Sequence, residues 1–290
     1  MPRPVPPPGS LVLDHVSHFV PDLGAAARAL RALGFAVTPE SAQATQDGPA
    51  GTANVCVMLR EGYLEFLAPT APTPNAGRLR ATMRRYPGVH LACFGTPAAE
   101  EEHARLAAHG LRPQPPVELR RETETGLARF RVIRAAPEAM PEGRVQFVQH
   151  LTPEVLWHER WMGHENGVTG LACAFVVADD PSQAAARWAE FAALLPRPAG
   201  PFVHLRSERG DVLIGSDRDW QAIFGAAPPP GPALAGYALR CADPAALAAR
   251  LAQTGAAVRA LRPALYAAIL PPALAGGWVF GTRSSLALDR

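Results

Sequence analysis

The feature that most constrains the fold is a unit that recurs four times along the 290-residue chain. Each copy has an apolar, strand-like run, then a helix-capping residue, then an Ala- and Leu-rich helical segment. In three copies proline follows the capping residue at once, where its missing N–H leaves no helical hydrogen bond unmade. The four capping residues are Asp22, Thr96, Asp180 and Asp243. The repeat predicts four modules of one design.

Two or three further strand-like runs follow each predicted helix. They are residues 36–38, 54–58 and 63–67, then 128–133 and 145–150, then 202–205 and 211–214, and finally 257–261, 266–270 and 278–280. The unit is therefore strand–helix–strand–strand–strand, written βαβββ. The capping residues are too unevenly spaced for a solenoid. We predict an α+β fold in which four βαβββ modules form two tandem open β-barrel domains.

Composition shifts along the chain divide it into segments. A stretch rich in Trp, His and Glu separates the second and third modules, and prolines crowd the N-terminus. The predicted segments are a flexible Pro-rich tail at 1–10, a first domain at 11–152 with modules at 11–70 and 87–152, a connector at 153–167, and a second domain at 168–290.

Charge and cysteine usage exclude several classes of function. The formal net charge is +2, so no electrostatic footprint for nucleic acid stands out. All 28 basic residues are arginines, which excludes Schiff-base chemistry and a Walker-type lysine. The four cysteines lie singly in apolar runs, as small buried hydrophobes do. With neither a signal-peptide pattern nor an apolar run long enough for a bilayer, we expect a soluble cytoplasmic protein.

Short motifs in the first half resemble a known superfamily. Leu13-Asp-His-Val16 opens the first module, and Gly51-Thr-Ala-Asn54 precedes Gly62-Tyr-Leu-Glu-Phe66. This arrangement of paired modules resembles the vicinal oxygen chelate superfamily, and within it the glyoxalase-like group of bacterial proteins. The superfamily includes glyoxalase I, extradiol dioxygenases and metal-free drug-resistance binding proteins. The resemblance implies a barrel around one divalent metal, with ligands from the first and last strands of each module.

Two histidines occupy matching places on the opening strands of the first two modules. His15 precedes Phe19 by four residues, and His90 precedes Phe94 by four. The resemblance makes this a ligand position, so both histidines are candidate metal ligands. His18 is three residues from His15, and because side chains alternate along a strand it points to the opposite face.

The closing strands supply the other candidate ligands. Residues 62–67 align with 143–148, which pairs Glu65 with Gln146. Alignment on the prolines that follow pairs Glu65 with Gln149 instead, and His150 shares the face of Gln146. A buried carboxylate such as Glu65 needs a cation or hydrogen-bond donors. The predicted metal set is therefore His15, Glu65, His90 and Gln146.

This set suits several divalent ions, and the sequence does not choose among Zn, Fe, Ni, Co and Mn. A degenerate pocket without metal is the alternative. Glu65 or His150 is the candidate proton-transfer group, and Asn54 and Trp157 are candidate substrate-binding residues. Their structural alternatives are strand-entry hydrogen bonding for Asn54 and interdomain packing for Trp157.

The second domain lacks comparable residues. No histidine stands at the matching position of its opening strands, and His204 is isolated. The resemblance implies a metal-dependent lyase or isomerase acting on a small oxygen-rich substrate in the first domain. An extradiol-type dioxygenase and a metal-free binding or resistance protein are the alternatives. The expected partners are a small molecule and, as an open option, a second copy in a homodimer, with no nucleic acid or membrane.

Overall fold

The computed structural model describes residues 6–7 and 9–286. Most of the predicted flexible tail, residues 1–5 and 8, lies outside the described residues. The elements of the first domain are β1 Val12–Phe19, α1 Leu23–Ala32, β2 Ser41–Thr45, β3 Gly48–Met58, β4 Tyr63–Pro69, α2 Pro74–Met83, β5 Gly88–Gly95, α3 Ala99–Ala108, β6 Val117–Thr123, β7 Gly126–Arg134 and β8 Arg144–His150.

The connector contains one 3₁₀ turn and a single helical turn. The remaining elements are α4 Glu159–Met162, β9 Val168–Val177, α5 Pro181–Ala192, β10 Pro196–Ala199, β11 Phe202–Leu205, β12 Asp211–Gly215, α6 Asp217–Phe224, β13 Ala233–Cys241, α7 Pro244–Gln253, β14 Ala257–Arg262, β15 Leu265–Ile269 and β16 Gly277–Gly281. The predicted fold class is confirmed, with four βαβββ modules in two domains. No helix in the described part of the chain has the length and apolarity to span a bilayer.

The first domain is a closed barrel with strand order β1-β4-β3-β2-β6-β7-β8-β5. Each module contributes four neighbouring strands, and the modules join along two antiparallel seams, β1 with β5 and β2 with β6. Closure leaves one enclosed interior, toward which alternate side chains of every strand point.

The second domain has the same strand order but only one seam between its modules. Its eight strands form an open sheet, β10-β11-β12-β9-β13-β16-β15-β14. β10 carries Pro196 and Pro198 and lies at one edge. Proline has no N–H for a sheet ladder and is therefore found on edge strands. This edge cannot pair with β14 as β2 pairs with β6.

Several local predictions differ from the structure. Residues 36–38 are not a strand, and β2 begins at Ser41 instead. β6, α2 and α6 have no counterpart in the sequence prediction; β6 is rich in charged residues and mostly half-buried, so its pattern is not that of an apolar strand. Asp22, Asp180 and Asp243 cap their helices through side-chain oxygens, whereas α3 begins at Ala99 without a side-chain cap.

The two domains share a buried contact along the outer face of β1 and β5. His18 is fully buried there, with Nδ1 2.8 Å from the carbonyl of Leu274 and Nε2 2.8 Å from the hydroxyl of Tyr237. Its ring stacks on Phe66 at a centroid distance of 4.4 Å. The outer face of β1 is therefore used for packing against the second domain, and the inner face is left for the barrel interior.

Candidate functional site

The interior of the first barrel contains a cavity of about 490 Å³. This volume is typical of sites for small molecules. Four of the predicted site residues line it, namely His15, Asn54, Glu65 and Gln146. All four are buried in the barrel wall.

A β-bulge places two ionisable groups side by side at the start of β1. Leu13 pairs with Phe94 and His15 with Cys93, so Asp14 is an extra residue without a partner on β5. Asp14 Oδ1 lies 2.7 Å from His15 Nδ1, and Asp14 is fully buried. The bulge interrupts the alternation of side chains along β1, so the consecutive residues Asp14 and His15 can hydrogen-bond to each other.

The second oxygen of Asp14 reaches the last strand of the barrel. Asp14 Oδ2 lies 3.0 Å from His150 Nε2. His150 packs edge-on against Trp157 at a centroid distance of 4.9 Å, and Trp157 donates its Nε1–H to the carbonyl of Leu59 at 3.2 Å. Neither His150 nor Trp157 lines the cavity. Both lie behind the cavity wall, where they can position Asp14 but do not face a ligand.

The pKa values of this cluster shift in opposite directions. Burial raises the pKa of Asp14, but the attraction of His150 and His15 outweighs burial and holds it below its ordinary value. Burial lowers the pKa of His15, but contacts with Cys93 and Asp14 outweigh it and hold the pKa well above the ordinary value. The Asp14 carboxylate thus favours the protonated form of His15.

Of the two predicted proton-transfer groups, Glu65 faces the cavity and His150 does not. The Ser17 hydroxyl donates to Oε2, and the amides of Asn54 and Gln43 donate to Oε1 at 2.5 and 3.2 Å. Arg121 Nη1 donates to the Asn54 carbonyl oxygen at 2.6 Å, which fixes the direction of the amide. Glu65 is thus oriented by three donors that carry no charge.

Strand register gives the spacing between the two groups. His15 and Ser17 lie two residues apart on one strand, and Glu65 pairs with Ser17 on the neighbouring strand. Two residues of a strand span roughly 7 Å. His15 and Glu65 therefore lie two register positions apart on neighbouring strands, and both face a small substrate in the same cavity.

His90 lies apart from His15 and Glu65. Leu91 and Val89 pair with consecutive residues of β1, which leaves His90 as the extra residue of a second bulge. Its Nε2 lies 2.8 Å from the carbonyl of Tyr86, and it lines a neighbouring cavity. Burial lowers the pKa of His90 to about 4. Counting residues back from Phe94 could not predict the direction of the His90 side chain, because such counting assumes a strand without a bulge.

Gln146 and Gln149, the two alternatives for the last ligand, lie in different places. Gln146 Nε2 lies 3.6 Å from Cys93 Sγ, and its buried Oε1 has no partner. Gln149 donates to the carbonyl of Pro97 at 2.7 Å and accepts from the Ala99 N–H at 3.3 Å. Gln149 therefore holds the start of α3, and only Gln146 faces the cavity.

Comparison with known protein families shows which family the chain belongs to. The profile of a family described as the glyoxalase-like domain matches residues 13–192, more than half of the sequence. The chain belongs to this family. The predicted membership in the vicinal oxygen chelate superfamily is thereby confirmed. No curated protein matches this glyoxalase-like protein significantly in sequence.

Solved structures show the fold of the glyoxalase-like protein over nearly its whole length. A hypothetical protein from Staphylococcus aureus is 13% identical with a TM-score of 0.67, covering 94% of this chain and 99% of its own. A mutant 4-hydroxymandelate synthase from Streptomyces coelicolor is 14% identical with a TM-score of 0.55, covering 94% of each chain. A fusion of a xylose isomerase-like TIM barrel with 4-hydroxyphenylpyruvate dioxygenase is 11% identical with a TM-score of 0.55, covering 99% of this chain and 51% of its own.

The metal set implied by the resemblance can be tested against these positions. His90 is outside the cavity, and the oxygens of Glu65 already accept three hydrogen bonds. Among residues 6–7 and 9–286, no group of three or more His, Cys, Asp and Glu is arranged to hold a metal ion. In this arrangement the four predicted ligands of the glyoxalase-like protein do not form one metal site.

Several residues of the site, Ser17, Asp14 and Arg121 among them, were missed in the sequence. Ser17 stands two residues after His15, so strand alternation places it on the same face and could have identified it. Asp14 belongs to the opening motif, but a bulge has no clear sequence signal, so its place beside His15 was not predicted. Arg121 lies on β6, the strand that the apolar criterion did not find.

Proposed function

We propose that the glyoxalase-like protein is an enzyme that moves a proton on a small oxygen-rich substrate inside the first barrel, as an isomerase or lyase does. One observation carries the proposal: Glu65 and the Asp14-bound His15 face the same cavity from neighbouring strands. A carboxylate and an imidazolium that face one substrate can act as its base and its acid.

Glu65 is assigned as the base. It takes the proton from a carbon next to a carbonyl group, while Ser17, Asn54 and Gln43 hold the carboxylate in one direction. A fixed carboxylate reaches its proton without first having to reorient, which lowers the barrier.

His15 is assigned as the acid. Its Nδ1 is held by Asp14, which leaves Nε2 as the nitrogen that can donate toward the substrate. As the substrate loses a proton to Glu65, negative charge develops on the carbonyl oxygen, and an imidazolium stabilises that charge. Asp14 and His150 are assigned as positioning residues because they act through His15.

Exchange of substrate protons with D₂O tests the proposal without knowledge of the product. We expect the wild-type protein to introduce deuterium into at least one member of a panel of small carbonyl compounds with a vicinal oxygen, followed by NMR. Glu65→Gln is expected to slow this exchange by about 10²–10⁴-fold, because the amide keeps the shape but cannot accept the proton.

The matched control is Glu154→Gln, which makes the same change on an exposed residue of the connector. It should exchange at the wild-type rate. If the wild-type and Glu65→Gln proteins give equal exchange on every compound, the proposed function is wrong, and a binding protein on the same fold becomes the better description.

The metal content tests the metal-dependent form of this chemistry. Because the predicted ligands do not converge, we expect the protein to retain less than about 0.1 equivalent of Zn, Fe, Ni, Co or Mn after reconstitution and desalting, measured by elemental analysis. A full equivalent that is lost in both His15→Ala and Glu65→Ala would contradict this expectation. That result would support the metal-dependent lyase, or the dioxygenase, that the sequence resemblance implies.

A further inference from the structure

We propose that the substrate carries an anionic oxygen group, a carboxylate or a phosphate, which binds to Arg78, Arg134 and Arg144. We call these three residues the arginine cluster. The inference rests on the proposed function, because the cluster lines the same cavity as His15 and Glu65.

The arginine cluster lies where two cavities meet. Arg78 comes from α2, Arg134 ends β7 and Arg144 begins β8. All three line both the barrel cavity of about 490 Å³ and a neighbouring cavity of about 500 Å³. A ligand bound to the cluster can therefore enter from one cavity and extend into the other.

The three guanidinium groups have no acidic partner among the residues that the structure describes. No ion pair or side-chain hydrogen bond joins any of them to another group, and the Nε of Arg134 is buried without a partner. Arg129 and Arg131 on β7, by contrast, pair with Glu118 and Glu100 at 2.6 and 3.0 Å. On β7, therefore, Arg129 and Arg131 have acidic partners and Arg134 has none.

Arg78 is exposed, and Arg134 and Arg144 are half-buried. Like charges held together in a partly buried site are unfavourable unless an anion joins them. Burial, together with Arg134 and Arg78, lowers the pKa of Arg144 to about 9. The Glu65 carboxylate also faces this cavity and attracts Arg144, but one carboxylate does not balance three guanidinium groups. The arrangement favours a ligand that supplies the missing negative charge.

The geometry also limits the size of the substrate. Arg144 and Gln146 are two residues apart on β8, and Gln146 and His15 both pair with Cys93. Two residues of a strand span roughly 7 Å. An anionic group on Arg144 would therefore place the reacting carbon of a short chain beside His15. Guanidinium groups bind carboxylate and phosphate through two parallel hydrogen bonds, which fixes the orientation of such a chain.

Titration calorimetry with inorganic phosphate and with malonate, each at constant ionic strength, tests the inference and separates the two sources of the anion. We expect one of them to bind with 1:1 stoichiometry to the wild-type protein. Arg134→Gln and Arg144→Gln should each weaken that binding by about tenfold or more, since each loses a charge-assisted hydrogen bond. Arg144→Lys keeps the charge but loses the paired hydrogen bonds. Its affinity for the anion should therefore lie between that of Arg144→Gln and that of the wild type.

Arg120→Gln is the matched control, because Arg120 is an exposed arginine on β6 that lines neither cavity. It should bind as the wild type does. Without any anion, Arg134→Gln and Arg144→Gln should unfold at a higher temperature than the wild type, because each removes like-charge repulsion. A purely structural arginine would lower that temperature, so this measurement also shows that the variants fold.

The inference is overturned if neither anion binds at 1:1 stoichiometry, or if the cluster variants bind as tightly as Arg120→Gln. Glu65→Gln should retain the anion binding because it leaves the cluster intact. Loss of deuterium exchange on every compound with retained anion binding would overturn the proposed function alone. Exchange in the wild type without anion binding would overturn the anion site alone.

Discussion

Asp14→Ala is expected to lower the free energy of unfolding by about 3–5 kcal/mol near pH 6, the largest effect of any substitution in the candidate site. Asp14 is fully buried and binds His15 at 2.7 Å and His150 at 3.0 Å. Removing it leaves two buried imidazole groups without their carboxylate. Urea denaturation of the variant and the wild type measures the difference.

The effect depends on pH because both pKa values are shifted. The pKa of Asp14 is lowered from 3.8, so its stabilisation is present above that value and is lost as the pH falls toward the folded-state pKa. The pKa of His15 is raised above 6.5, so its stabilisation is present below that value and is lost as the pH rises through the folded-state pKa. The difference between wild type and Asp14→Ala should therefore be greatest between these two values.

Asp22→Asn provides the control for Asp14→Ala. It also removes a carboxylate charge, but at an exposed helix cap where asparagine serves as well as aspartate. Its free energy of unfolding should stay within about 0.5 kcal/mol of the wild type at each pH. A loss below about 1 kcal/mol for Asp14→Ala at pH 6 would show that the bulged carboxylate does not stabilise the cluster.

Arg187→Ala is expected to lower the free energy of unfolding by about 3 kcal/mol, for a related reason in the contact between domains. Glu142 precedes β8 and is fully buried. Its carboxylate pairs with Arg187 and accepts the Nε1–H of Trp188 at 3.2 Å, both on α5 of the second domain. Without Arg187, a buried negative charge keeps only one neutral donor. Denaturant unfolding followed by tryptophan fluorescence measures the loss.

The double variant Glu142→Gln/Arg187→Ala should recover part of this stability, because glutamine leaves no charge to bury. Arg250→Ala is the matched control: its ion pair with Glu165 is 3.7 Å long and exposed, and its loss should cost below about 1 kcal/mol. Equal losses for Arg187→Ala and Arg250→Ala would mean that Glu142 is hydrated in the folded protein.

Much of the fold could be predicted because its signals are local. An Asp cap, proline at the first helical position and an apolar run before them depend on neighbours in sequence, so the modules were visible, although the Thr96 cap predicted for α3 is not formed. Closure of one sheet and not of the other depends on pairing between distant strands. Pro196 and Pro198 were a readable signal for an edge strand, but only after β10 had been recognised.

The candidate site was predicted in part. His15, Glu65 and Gln146 share a cavity because regular strands alternate, and alternation can be counted. His90 and Asp14 could not be placed because each is the extra residue of a bulge, which reverses the count. The arginine cluster joins a helix to two strands of another module, and no spacing along the chain links those positions.

The seam between β2 and β6 is the shorter of the two seams that close the barrel. It consists of two paired positions, whereas the seam between β1 and β5 has seven. The bond from Arg121 to Asn54 crosses it, and Asn54 in turn holds Glu65. If this short seam parted, Asn54 would lose its contact with Arg121. Ser17, Gln43 and Asn54 lie on the same side of the seam as Glu65 and would keep their hydrogen bonds to its carboxylate. The barrel could therefore open at its shorter seam while the base stays aligned by its three donors.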